Sequence, residues 1–190
     1  MSSKNPIFRI IVAVSCALVA VLAALSLIRV FEHIKTYPFL NLMIALISPI
    51  TLIAFCGLAI LKNDNKDKLV SLALAAYAGI NAAWTFIKAC EAIAHGYFNV
   101  DYLVNIAFFA ILLLFAAKNV LPIPGKENLE TPIMQIIAIA CIWAIPLIQM
   151  FILPLFAGAP HSPQQVGGGM MIALFSFILQ SIVFTWFIKE

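Results

Sequence analysis

The chain has 190 residues, 64% of them hydrophobic, with 11 basic and 8 acidic side chains and a net charge of +3. A soluble domain is about half apolar and about a quarter charged, so a soluble enzyme, a nucleic-acid-binding domain and a disordered protein are all excluded. The basic residues stand in small groups at the ends of apolar runs, which carries topology information and is no nucleic-acid footprint.

A bilayer core of about 30 Å is crossed by roughly 20 apolar helical residues. The first such run, Ile10 to Ile28, has 19 residues without a charge, and it predicts a helix over 10–33. Lys4 and Arg9 precede it as they would in a signal peptide. The run exceeds a usual signal core, however, and no small-x-small cleavage site follows, so an uncleaved anchor is expected. Thr36-Tyr37-Pro38 then sets Pro38 at the first turn of a second helix, 38–61, around the 23-residue run Phe39 to Leu61. The third helix, 69–95, holds Leu69 to Ile87 and ends at Gly96, suited to a left-handed cap.

The fourth helix, 100–121, has the shortest run, 16 residues from Tyr102 to Ala117. Val120 and Leu121 extend it beyond Lys118, whose stem can snorkel. Pro122, Pro124 and Gly125 open a loop. Thr131 is a fitting N-cap and Pro132 a fitting first residue for the fifth helix, 132–156. Pro49 in the second helix, and Pro146 and Pro154 in the fifth, each remove a donor and free a carbonyl, so the fifth helix is expected to bend. Ala157 to Gly169, with Pro160, Pro163 and three consecutive glycines, is expected to be irregular, and the sixth helix to run over 169–188. The expected fold is all-α: a polytopic membrane protein, 1–190 forming one integral domain of six transmembrane helices.

With the N-terminus in the cytoplasm, Lys4, Arg9, Lys62, Lys66, Lys68, Lys118, Lys126 and Lys189 lie inside, against Arg29, Lys35 and Lys88 outside. The positive-inside bias therefore favours cytoplasmic N- and C-termini, in a cell inner membrane. An offset of 59 lays Ile28, Arg29, Glu32 and Ile34 on Ile87, Lys88, Glu91 and Ile93, and an offset of 120 brings in Leu147, Ile148 and Phe151. These matches suggest three tandem helical hairpins, which would be related by an axis along the membrane normal. Small residues spaced by four, Ser71, Ala75, Gly79 and Ala83 among them, suit close helix packing and also a homodimer face. Cys16, Cys56, Cys90 and Cys141 all lie in apolar runs without a CxxC, as buried thiols acting as small hydrophobes.

Under this topology His33, His95 and His161 fall on the outer side with Arg29, Glu32, Lys88, Glu91 and Asp101. Arg29 and Glu32, like Lys88 and Glu91, are three apart, and Glu91 and His95 are four apart, so each set shares a helix face. Gln149 stands where the third hairpin would carry its counterpart of Arg29. One network of Arg29, Glu32, Lys88, Glu91, His95 and Gln149 at the mouth of the bundle is the predicted binding site. Interfacial anchoring is the plainer reading of the same charges, and a metal or haem site using His33, His95, Glu32 and Glu91 is the weakest, because no histidine lies within a span. Deep in the spans the polar groups are amides, Asn41, Asn81, Asn105, Gln149 and Gln180, with some Ser and Thr. None is ionisable, which argues against a proton relay and leaves room for a neutral-solute or ion path.

The leading functional expectation is a non-enzymatic membrane component that binds or passes a small solute or ion, with no cofactor. An accessory subunit of a larger membrane complex is the alternative, and a redox protein or membrane enzyme using the outer His and Glu residues is a third reading. The expected partners are the lipid bilayer, the solute and further copies or other subunits, with no nucleic acid.

Overall fold

The structure, a computed structural model, describes residues 6–62, 64, 66–97, 99–122, 124–152 and 163–189. Its elements are α1 (Pro6–Glu32), a 3-10 turn (Ile34–Thr36), α2 (Phe39–Lys62), α3 (Lys68–Ala94), α4 (Val100–Val120), α5 (Lys126–Leu129), α6 (Pro132–Leu147) continued by a π turn (Ile148–Ile152), and α7 (Pro163–Lys189). Among the described residues there is no strand. Six helices, all but α5, are long and apolar enough to cross a membrane. The protein is an all-α polytopic bundle.

Local chemistry explains where these helices start and stop. Asp67 caps α3 by accepting from the Leu69 and Val70 amides at 2.8 and 3.4 Å. Asn99 caps α4 through the Asp101 amide at 2.9 Å, and Thr131 caps α6 through that of Met134 at 3.4 Å. Helix α3 stops at Gly96, which takes φ +78°. Its amide bonds the Ile93 carbonyl and that of Tyr97 bonds Ala92, so the last carbonyls are satisfied by a Schellman turn. A side chain at this φ costs about 1–2 kcal/mol; Gly96→Ala is expected to lower stability by that amount, measured by thermal unfolding in detergent.

Each long helix packs on the next in sequence, and α7 returns to pack on α1, so the six close into a ring in chain order. The start of α1 and the end of α7 share one end of the ring, the terminal end; the α1–α2 and α3–α4 connections lie at the other, the tip end. In lipid, apolar contact alone gives little preference for another helix, and association rests on close packing and interhelical hydrogen bonds. Three seams carry such bonds. Ser48 and Asn81 tie α2 to α3, with Ser48 Oγ to Asn81 Oδ1 at 3.0 Å and Asn81 Nδ2 to Ser48 Oγ at 2.9 Å. Asn119 Nδ2 donates to Ser71 Oγ at 3.0 Å between α3 and α4, and Trp143 Nε1 to Thr185 Oγ1 at 3.0 Å between α6 and α7. Each is worth about 0.6 kcal/mol in such a bundle.

The small residues of α3 do not act as one stripe. Ser71 and Gly79 meet α4, but Ala83 is exposed, and Gly79 is not a close approach: a Cβ there would meet Leu113 Cδ1 at an ordinary 3.8 Å. Gly79→Ala is therefore expected to be tolerated and to raise stability by up to about 1 kcal/mol through helix propensity, read as a higher unfolding temperature.

Three sequence expectations need correction. Pro163 opens α7, six residues before the predicted start, and the three glycines lie within the helix; backbone at membrane depth has no water to bond, so the helix is kept despite its weak formers. Residues 153–162, with Pro154, Pro160 and His161, lie outside the described residues. Lys118 does not reach outward but is 4% exposed, its ammonium 5.1 Å from the Phe115 ring, which offers a cation–π partner in place of water. The cysteines are not uniformly buried: Cys16 and Cys56 are, Cys141 is half-buried and Cys90 is exposed, because it lies off the packed face of α3 that carries Ala89 and Ala92.

Candidate functional site

The outer charges do not form one network. Lys88 Nζ pairs with Glu91 Oε2 at 2.7 Å along α3 and lies 4.6 Å from the Trp84 ring centroid. His95 Nδ1 lies 2.7 Å from the Glu91 carbonyl oxygen, so the imidazole is tied to the helix end. Arg29 and Glu32 are exposed near the end of α1, and among the described residues neither forms an ion pair. The spacing rule identified residues on one helix face; it could not bring α1 to α3, which the ring separates by α2. No cluster of three or more His, Cys, Asp or Glu able to hold a metal occurs among the described residues.

Gln149 is different: it enters the interior. The elements that place it are Pro146 and the π turn that follows at once. A proline within a helix withholds one hydrogen bond and crowds the preceding turn, and a wide turn is one way of absorbing that; such turns recur at functional sites. Gln149 lines a cavity of about 290 Å³ with Asn105, Phe108 and Phe109 of α4. Phe177, Ser176 and Gln180 of α7 and Tyr77 of α3 complete its walls. A second cavity, of about 230 Å³, lies between α1 and α2, lined by Ser26, Ser48 and Pro49, and shares Tyr77, Ser176 and Gln180 with the first. Tyr77, Asn81 and Gln180 lie near mid-span, whereas Asn105 and Gln149 stand near the tip ends of α4 and of the span Pro132–Phe151.

The hydrogen bonding within these walls is incomplete in an informative way. Asn81 is fully engaged, with Ser48 and with the Tyr77 carbonyl at 2.7 Å. Gln180 Nε2 donates to Ser176 Oγ at 3.1 Å. Asn105 and Gln149 are both half-buried, yet among the described residues neither amide has a hydrogen-bond partner. No buried side-chain polar atom is orphaned among those residues, so the polar atoms of the two amides keep some exposure and can be satisfied by what fills the cavity they line.

Toward the terminal end the ring is filled. Phe55 meets Phe184 and Phe187 at centroid distances of 6.2 and 6.0 Å, and Phe184 reaches Tyr77 at 6.3 Å and Phe108 at 6.1 Å. Leu74, Leu112, Phe115 and Ile188 are at most 2% exposed around them. The cavities therefore have an aromatic floor.

Asn105, Gln149, Asn81 and Gln180 are polar groups that stand out in apolar sequence. Tyr77, Ser48 and Ser176 do not, although Tyr77–Asn81 and Ser176–Gln180 are spaced by four and so mark the same helix faces. Fold and site together define a multi-pass integral membrane protein with a polar-lined interior. Comparison with family models, with curated proteins and with solved structures finds no match.

Proposed function

We propose that the protein is a non-enzymatic membrane component that binds a small uncharged solute between mid-span and the tip end and serves its transport. The observation that carries this is the pair of amides, Asn105 and Gln149, that line one cavity above an aromatic cluster and have no hydrogen-bond partner among the described residues. With both termini cytoplasmic, as the lysine and arginine distribution favours, the cavity lies nearer the extracytoplasmic face. The rim charges then serve as interfacial anchors: an exposed pair such as Lys88–Glu91 is worth less than about 1 kcal/mol.

The protein in lipid nanodiscs tests this. Trp143 packs on Phe177, a cavity wall, at 5.8 Å, so filling the cavity is expected to change tryptophan emission saturably as uncharged metabolites are titrated. Asn105→Leu is expected to remove the response, and Arg29→Ala, Glu32→Ala and Lys88→Ala to leave it within about twofold. The opposite pattern moves the site to the rim.

An accessory-subunit role draws on α6, whose most apolar window is only 11% buried, against 44% for α7. That face accepts either lipid or another chain, and purification in mild detergent without other proteins removes this reading.

A further inference from the structure

The lining of the larger cavity points beyond solute binding in general to a class of solute, and this step rests on the reading above. Among the described residues that line the two cavities, Tyr77 alone carries an ionisable group, a phenol. The charges of the rim are held elsewhere, in the Lys88–Glu91 pair and at the exposed end of α1. A charged solute at this depth would meet no counter-charge.

What the cavity does offer is hydrogen bonding, from the hydroxyls of Tyr77, Ser176 and Ser181 and from the carboxamides of Asn105, Gln149 and Gln180. A primary carboxamide presents an acceptor and two donors in one plane. Its best complement is another amide-type edge, a carbonyl oxygen beside an N–H, which it can grip with two bonds at once. Asn105 and Gln149 make that offer from different helices, α4 and the π turn after α6.

Four aromatic rings, Tyr77, Phe108, Phe109 and Phe177, stand among the remaining walls. Phe108 and Phe109 meet edge to face at 5.3 Å and 80°, and Tyr77 and Phe109 at 5.9 Å and 78°. An edge-to-face contact covers at most one face of one ring of the pair, and aromatic walls favour a flat guest through offset stacking or edge-to-face contact. The volume of about 290 Å³ stands at the bottom of the range for small-molecule sites, about 300–1,000 Å³, which suits one ring and not a nucleotide.

We propose that the cavity between α4, α6 and α7 takes an uncharged single-ring solute with an amide or lactam edge, the edge held by Asn105 and Gln149 and the ring stacked on the aromatic wall. Nicotinamide and uracil are suitable probes, with the anions nicotinate and orotate as charged counterparts. Urea carries the edge without the ring, and glycerol carries neither. Tryptophan emission and thermal unfolding of the nanodisc-embedded protein report binding. At least one ring amide is expected to bind saturably, about tenfold or more tighter than its acid counterpart, urea or glycerol. Gln149→Met, which keeps the side-chain length and removes the amide, is expected to weaken it about tenfold with an unchanged unfolding temperature in the absence of solute. If the acids, urea or glycerol bind as tightly, or if Gln149→Met leaves ring-amide affinity unaltered, the solute class is wrong and the cavity remains a solute site of another class. If no probe, nor any other uncharged metabolite, changes either signal of the folded protein, both the class and the binding reading fall.

Discussion

Phe184→Ala is expected to cost the fold about 3–5 kcal/mol, the range for truncating a fully buried phenylalanine. Phe184 is 1% exposed and is the ring on which Phe55, Tyr77 and Phe108, from three different helices, converge. Removing it leaves a void that none of the three can fill without leaving its own partner, Phe187 for Phe55 and Phe109 for Tyr77. Unfolding in mixed micelles at increasing SDS fraction measures this. Phe175, equally large but half exposed on the same helix, provides the control: Phe175→Ala is expected to shift the midpoint little. Equal effects of the two substitutions would mean that α7 does not close the ring through this cluster.

Replacing both Asn105 and Gln149 by leucine is expected to separate stability from binding. Neither amide has a hydrogen bond among the described residues, so exchanging them for apolar groups of similar size is expected to cost the fold little or to stabilise it. The bound solute then loses its partners. A neutral hydrogen bond is worth about 1 kcal/mol net, and a polar edge left unpaired costs a further 1–3 kcal/mol; two such losses weaken binding about 100-fold or more. An unfolding temperature equal to or above that of the parent, combined with lost solute protection, is the expected result. A drop in both would show that the amides bond within the bundle. Such opposed effects are common where a site is built at the expense of packing.

Spans, stops and one of the caps were legible in the chain because each is written locally. The apolar runs set the spans, Thr131 marked the start of α6 and Gly96 the left-handed stop of α3, whereas the caps by Asp67 and Asn99 were not read from the sequence. The site was legible only in part. Gln149 and Asn105 were visible as amides out of place in apolar sequence, but their meeting depends on α4 and α6 being ring neighbours, a non-local fact. Periodicity could not supply it, since these helices are apolar on nearly every side and lipid tolerates on one face what the core needs on another. Arg29 and Glu32 drew attention by charge, and charge at a membrane edge marks water as readily as function. Even the start of α7 followed a rule that glycine counting misses, the need of backbone in hydrocarbon to bond to itself.

A ring laid down in the order of its sequence has a keystone. Ribosomal synthesis delivers α1 first and α7 last, and α7 alone bridges α6 to α1. Until it arrives, the nascent assembly is a horseshoe whose aromatic floor lacks Phe184 and Phe187 and whose polar walls face hydrocarbon. Messages cut short before α7 should therefore yield products that membrane quality control removes rather than partly working proteins. Coexpressing α7 as a separate peptide should rescue them, because its partners on α1 and α6 would already be waiting.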